Sequence, residues 1–296
     1  MKPARLTWIR FRGHRAAFAS LILLGLLFAL CFSAQLIAEA LGVSGTAVDL
    51  LAMNMEPSGK HWLGTDELGR DILIRLLAGG QVSLTVGLIA ALCAALIGTT
   101  IGLVAGYRGG LTDAVLMRLT DGVIALPLLP LLIVLAAVDL GKLGLSDSAI
   151  ADEATQLMRI VLIVALAGWT TVARLVRAQA LSLRTRTFVL AARSQGASTR
   201  FIILRHVLPN LASPIIVATT LATGQIILLE SVLSFLGLGI QPPTPSWGNQ
   251  LTNAQELIWS APALALWPGL AIFTTVIAFN FLGDGLQDAL DPRAKP

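Results

Sequence analysis

The sequence predicts an all-α, polytopic membrane protein with six transmembrane helices. Three observations predict it. Of 296 residues, 55% are hydrophobic and only 13% charged, where soluble domains carry roughly 25% charged residues. The mean hydropathy is +0.79. The charges gather in strips between apolar runs, several of them long enough for a bilayer core, which takes about 20 helical residues. Lysine- and arginine-rich strips stay on the cytoplasmic side. The formal net charge of +4 therefore reads as membrane orientation and lipid contact rather than as a nucleic-acid surface.

Taken in order, residues 1–15 carry Lys2, Arg5, Arg10, Arg12 and Arg15 without an acid, an arm that stays inside. Ala16 to Ala38 is uncharged and makes the first span. It lacks a small-residue cleavage site and more spans follow, so it reads as an uncleaved helix. The next stretch, with Glu39, Asp49, Glu56, Asp66, Glu67 and Asp71 against Lys60, Arg70 and Arg75, belongs outside.

Gln81 to Tyr107 is the second span. Its Gly98, Gly102 and Gly106 share a helix face, and small residues at that spacing let two helices approach closely. A packing seam is the first reading and a substrate path the second. The third span, about Thr120 to Val138, holds Pro127 and Pro130, which should kink it. Asp121 near its start is either a functional intramembrane carboxylate or an interfacial ion pair with Arg118. The fourth span has only Ile160 to Ala173 uncharged, short unless Arg159 and Arg174 reach the two interfaces. The alternation of sides requires it.

A basic segment follows from Arg174 to Pro209, with Arg174, Arg177, Arg184, Arg186, Arg193, Arg200 and Arg205 and no Asp or Glu. Phe188, Leu190, Ala191 and Ala192 form a short helical run that Gly196 can end. Ser198 or Thr199 can cap a second helix through Phe201, Ile202, Leu204 and Val207, which Pro209 closes. Two short helices meeting at a glycine corner present apolar residues from a basic surface. That shape suits docking; the plainer reading is that the arginines only set topology and bind anionic lipid.

Leu211 to roughly Leu233 is the fifth span, with Glu230 near its outer end and Gln225 inside it. A carboxylate there should face protein or water, as a substrate contact or a structural hydrogen bond. Ser234 to Gly239 is apolar but glycine-broken, and Gln241 to Gly248 is too proline-dense for a helix. It reads as an outer loop partly folded against the bundle. The sixth span is about Ala263 to Leu282, near the interfacial Trp259 and Trp267. The tail through Asp291-Pro292-Arg293 returns inside.

Other function classes leave no trace. Cys31 and Cys93 sit in apolar runs without disulfide or metal spacing, so no metal or cofactor is expected. A membrane enzyme would need a motif such as His-Glu-x-x-His or Gly-x-Ser-x-Gly, and His14, His61 and His206 lie in loops. An ion-coupled secondary transporter predicts charged or unwound helices at mid-membrane. Here only Asp121 and Glu230 qualify, both towards span ends. Nor can the chain cradle ATP with a Gly-Lys-Ser/Thr loop, because Lys2, Lys60, Lys142 and Lys295 precede Pro, His, Leu and Pro. Energy must come from a partner.

Leu190-Ala191-Ala192 with Gly196, followed by Val207-Leu208-Pro209, resembles the "EAA" coupling loop of bacterial ABC importer permeases; the family's usual Glu is Leu190 here. His61-Trp62-Leu63-Gly64-Thr65-Asp66-Glu67-Leu68-Gly69-Arg70-Asp71, Ser234 to Gly239, Pro242 to Gly248 and Leu282-Gly283-Asp284-Gly285-Leu286 through Arg293 are similar to motifs of the C-type permeases of the dipeptide/oligopeptide/nickel family. The likeness covers His61 to the C-terminus, dividing the chain into 1–60, a basic arm with the first helix and the start of the outer segment, and 61–296, the permease core. It implies a type I ABC importer permease fold in a bacterial cytoplasmic (inner) membrane, with both termini cytoplasmic. It also implies a second, homologous permease chain, two cytoplasmic ATPase subunits and an extracytoplasmic solute-binding protein. Leu190, Ala191, Ala192, Arg193, Gly196, Ala197, Ser198 and Pro209 would be the coupling residues. Glu230, Gln225 and Asp121 are pathway candidates on polarity alone.

Overall fold

A computed structural model describes residues 3–252, 259 and 261–291. Lys2 of the basic arm and Pro292 and Arg293 of the tail lie outside the described residues. The architecture is all-helical. Among the described residues, five helices are long and apolar enough to cross a membrane, and there are six spans if one bent pair is counted as a span.

A basic helix α1 (Pro3–Gly13) leads into α2 (Arg15–Phe32), whose start is capped by the His14 ring accepting from the Ala17 N–H. The expected first span continues to Ala38, but the helix stops at Ser33. Its hydroxyl donates back to the Ala29 carbonyl at 2.7 Å, competing with the backbone ladder, and α3 (Ala34–Leu41) restarts beyond it.

The segment between α3 and α4 (Ile72–Arg108) is an ordered knot. Asp66 accepts from the backbone N–H groups of Leu68 and Arg70 and pairs with the Arg70 and Arg75 side chains. Asp71 caps α4 through the Ile74 N–H, while its other oxygen lies 2.9 Å from His61 Nδ1. Gly69, at φ +72°, lets the chain pass so close that a methyl there would overlap the Asp49 carbonyl. The acid, base and glycine spacing of this stretch is thus a folding code.

α4 packs along α8 (Glu153–Leu183), and the glycine face decides how closely. A methyl on Gly98 or Gly102 would sit 2.5 Å from the carbonyl oxygen of Trp169 or Ala173, and one on Gly106 2.6 Å from that of Arg177. The two four-residue rows run in register, backbone against backbone. The seam reading holds. Gly102→Ala is expected to cost about 1–3 kcal/mol, as overpacking does, seen as a lower unfolding temperature in detergent; an unchanged temperature would mean that the helices part freely.

The third span is the pair α5 (Gly110–Ala125) and α6 (Leu128–Ala136), bent by 88°. Pro127 pushes Leu126 out of the helical region (φ −75°, ψ 137°), so the expected kink is a full break. After the short α7 (Asp147–Ala151) comes α8, far longer than the uncharged stretch suggested. Its flanking arginines do more than reach the interfaces. Arg159 donates to the Ala136 and Val138 carbonyls at the end of α6, while Arg174 and Arg177 pair with Asp121 and Asp113 of α5. Arg174 and Arg177 are neutralised by acids and Arg159 is held by carbonyls, so the helix runs through.

Two short helices follow, α9 (Thr187–Ser194) and α10 (Thr199–Ile202). The expected stop at Pro209 is not found. A π turn, Ile203–Val207, joins α10 to α11 (Leu208–Phe235), with Pro209 in the first turn of α11. The wider i→i+5 bond from the Leu208 N–H to the Ile203 carbonyl is the kind of adjustment by which a proline is absorbed into a continuing helix. The last helix, α12 (Ala263–Leu290), outruns its expected end at Leu282. Its C-terminal turns lie against the start of α2: the Gly285 position faces Ala17, and Ala17, Ala289 and Phe11 form a small core. Both ends of the described chain thus meet at one end of the bundle.

Candidate coupling surface and transport cleft

The corner between α9 and α10 is built by local rules. Gly196 takes φ +78°. Its N–H donates to the Arg193 carbonyl and the Ala197 N–H to the Ala192 carbonyl, the paired bonds of a glycine-ended helix. Ser198 then caps α10, its hydroxyl accepting from the Phe201 N–H. Glycine is required here by the left-handed backbone.

The elbow has two faces. Inward, Val189, Ile202 and Val207 are fully buried against Leu103, Tyr107, Val172 and Val176, with Ala192 and Ala197 half-buried beside them. Arg193 folds back, its Nη2 donating to the Tyr107 hydroxyl at 3.2 Å with the guanidinium 5.7 Å from the ring centroid. Outward, Phe188, Leu190, Phe201 and Leu204 are exposed, along with Ala191. Ser198, Arg200, Phe201, Leu204 and Arg205 line a shallow groove of about 390 Å³. Of the predicted coupling residues, Leu190 and Ala191 face out, Ala192, Arg193 and Ala197 hold the elbow to the spans, and Gly196 and Ser198 shape the corner. Pro209 is exposed at the start of α11.

Above the elbow lies a cleft of about 1030 Å³, walled by α5, α6, α8, α11 and the end of α12. Most of its lining is aliphatic. Thr170, Thr171, Arg174 and Gln179 of α8, Ser213 and Gln225 of α11, Gln287 of α12 and Asp291 just beyond it add polar groups. Small pockets bind with a largely apolar wall and a few convergent polar groups, and this cleft has that make-up.

The three pathway candidates part company. Gln225 lines the cleft. Asp121 is outside the lining and pairs with a residue within it, Arg174, at 2.6 Å rather than with Arg118, because α8 brings Arg174 across. Glu230 does not line the cleft. It is fully buried, accepting from Ser234 Oγ at 2.7 Å and Ser83 Oγ at 3.0 Å. Ser83 in turn accepts from the Trp247 N–H, and Ser234 from the Ile240 N–H. Glu230 therefore pins the outer loop 236–248 to α4 and α11, the structural half of the two readings. The expected folding of that loop against the bundle holds, with Trp247 buried and donating from Nε1 to the Leu76 carbonyl.

Arg174, Gln179 and Thr171 line the cleft although the sequence marks none of them as a candidate, Arg174 reading there as the start of a loop. The signal was there: Arg174 and Arg177, three apart, face Asp113 and Asp121, eight apart, in charges embedded among apolar residues. Among the described residues, no group of three or more His, Cys, Asp or Glu is placed to hold a metal ion.

Comparison with known proteins agrees with this layout. Residues 98–296 match the family described as binding-protein-dependent transport system inner membrane component. Residues 2–54 match the N-terminal TM domain of oligopeptide transport permease C. A protein of Pectobacterium atrosepticum named glutathione transport system permease protein GsiD is 42% identical over 294 residues, covering 99% of this chain and 92% of its own length. Proteins of the same name from Escherichia coli and Shigella boydii are each 44% identical over 288 residues, covering 97% of this chain and 90% of theirs. A helical bundle with a bent helix pair, a glycine-cornered elbow and a cleft, matched along almost its whole length, belongs to the family of binding-protein-dependent transport system inner membrane components, the multi-pass permease subunits of ABC importers.

Proposed function

We propose that the chain is the membrane subunit of an ATP-driven importer that moves peptides, or a related small solute such as glutathione, handed over by an extracytoplasmic solute-binding protein. One observation carries this reading: an elbow that shows apolar side chains on a basic surface while its inner face is keyed to the spans lining the cleft. Two cytoplasmic ATPase subunits dock on that outer face, and their closure pushes α9. The push passes through Val189, Ala192 and Arg193 to Tyr107 of α4 and to α8. Because α4 and α8 are locked by the glycine seam, they move as one rod, and α8 carries the cleft wall with it. Hydrolysis itself belongs to the ATPase subunits.

The cleft is one half of the pathway, closed by a second, homologous permease chain. Exposed leucines along its rim, Leu126, Leu128 and Leu129, suit such a cover. Both termini lie on the cytoplasmic side, a placement supported by the arginines of α1 and by the packing of α2 against the end of α12. Residues 1–60 serve as the anchoring arm and 61–296 as the transporting core. The name of the relatives supports glutathione-like cargo, and their identity level supports shared architecture.

The test uses the whole complex in proteoliposomes. Glutathione uptake should require ATP, the ATPase subunits and the binding protein. A cysteine at Ser198, in a chain freed of Cys31 and Cys93, should react with an impermeant maleimide only in permeabilised cells. Labelling in sealed cells, or uptake driven by an ion gradient without the ATPases, would overturn the proposal.

A further inference from the structure

Two arginines three residues apart on α8 face α5 in different ways. Arg177 grips Asp113 with both Nε and Nη2, the latter at 2.7 Å, and the two side chains are 34% and 15% exposed. That is a bidentate clamp, the stronger form of the pair. Arg174 touches Asp121 through Nη2 at 2.6 Å, and the side chains are 52% and 53% exposed. A guanidinium has five N–H donors, and a pair this open to solvent contributes little on its own. Arg174 also lines the cleft, as do Thr170, Thr171 and Gln225. The other charged lining residue, Asp291, follows α12 at the inner mouth.

We propose that Arg174 is a specificity-determining residue that reads a carboxylate on the solute crossing the cleft, with Asp121 holding its guanidinium in place between passages. This rests on the reading of the cleft as half of an import pathway. The physical logic is exchange. A lone cation on the wall of a largely apolar cleft within the membrane would be costly, so the empty cleft needs Asp121. A tightly clamped cation could not be shared, and Arg177 is spent in that way. Arg174 is held loosely enough that a carboxylate of the solute takes some of its donors while Asp121 keeps another. The planar fork matches a carboxylate in two places at once, which an ammonium does not. The threonine hydroxyls and the Gln225 amide of the same lining can serve peptide N–H and C=O groups. The cleft volume, about 1030 Å³, lies at the top of the range for small-molecule pockets, ~300–1,000 Å³, enough for a tripeptide. The solute class is therefore a small peptide with at least one free carboxylate.

The experiment is uptake into proteoliposomes by the complete complex with its binding protein and ATP. The probes are glutathione and its diamide, in which both carboxylates are replaced by neutral amides. For each probe the variant is divided by the unsubstituted complex, so the binding protein's own preference cancels. Arg174→Gln should lower glutathione uptake about tenfold, the scale of one charged hydrogen bond, and uptake of the diamide by less than about a third of that factor. Arg174→Lys should fall between, and stimulated ATP hydrolysis should stay near that of the unsubstituted complex in both. Equal losses for the two probes, no loss, or a parallel fall in ATP hydrolysis would each overturn the role of Arg174. Failure of the unsubstituted complex to take up either probe is a different result: it removes the import reading, and this proposal with it.

Discussion

A complex carrying Ala192→Asp or Gly196→Pro should insert normally and fail to transport. The reasons are separate. Ala192 is half-buried beside Val189, Ile202 and Val207. A carboxylate there would be desolvated and would sit in the last turn of α9, the end of a helix that disfavours negative charge. Gly196 stands at φ +78° and donates its N–H to the Arg193 carbonyl. Proline has neither the dihedral nor the donor, so α10 and its capping Ser198 would be swung away from α9. Either change spoils both faces of the elbow while leaving the spans untouched. A docking loss of about 3 kcal/mol is roughly a hundredfold in affinity; ATP-driven uptake should fall to background and the ATPase subunits should no longer co-purify. Gly196→Ala is the control, because a methyl there meets nothing within 4 Å, leaving only the left-handed strain of about 1–2 kcal/mol. Normal uptake by the aspartate or proline variant, with the complex assembled, would mean that force enters the spans elsewhere.

What could be read from the chain alone was whatever depends on near neighbours. The glycine corner, the Ser198 cap, the four-residue glycine row and some bend at Pro127 are signals that lie within one or two turns of what they cause. The same holds for the existence of the spans. What could not be read were pairings across the bundle. Arg174 and Arg177 looked like the start of a loop because nothing near them carries an acid, and only the packing of α5 on α8 reveals Asp121 and Asp113 as their partners. The 88° angle at Pro127 is set by where α6 finds a surface, and proline alone fixes only that the helix bends. Pro209 misled in the opposite direction, since a π turn absorbs it and a local stop signal is overruled. Motif residues around His61 and Trp247 were recognisable by resemblance, while their purpose, tying outer segments to the bundle, is visible only in their hydrogen bonds.

Glu230 is the sharpest case of such a long-range pairing, and its removal should be among the most damaging single changes outside the elbow. Its Ser83 partner lies 147 residues away, so no local pattern announces the pair. One carboxylate oxygen accepts from Ser83 Oγ and the other from Ser234 Oγ, and both serines pass the connection on to loop N–H groups, Trp247 and Ile240. Glu230→Ala would leave a cavity in a fully buried spot and two hydroxyls without their acceptor. The hydroxyls can turn to nearby helix carbonyls, as Ser231 already does to the Ile227 carbonyl at 2.8 Å, so the polar part of the loss is partial. Together the cavity and the lost bonds should cost about 2–5 kcal/mol. The damage should be directional, because the loop is tied on through these serines while the α4–α8 seam is not. A lower unfolding temperature in detergent should therefore come with faster protease cutting in 236–248 and little change at the elbow. Glu230→Gln keeps an acceptor for one serine and offers an amide donor to the other hydroxyl, so it should recover most of the loss. If the alanine variant unfolds at the original temperature with its outer loop still protected, Trp247 and the cramped Gly248 hold that loop by themselves. The buried carboxylate would then have to be explained by something other than anchorage.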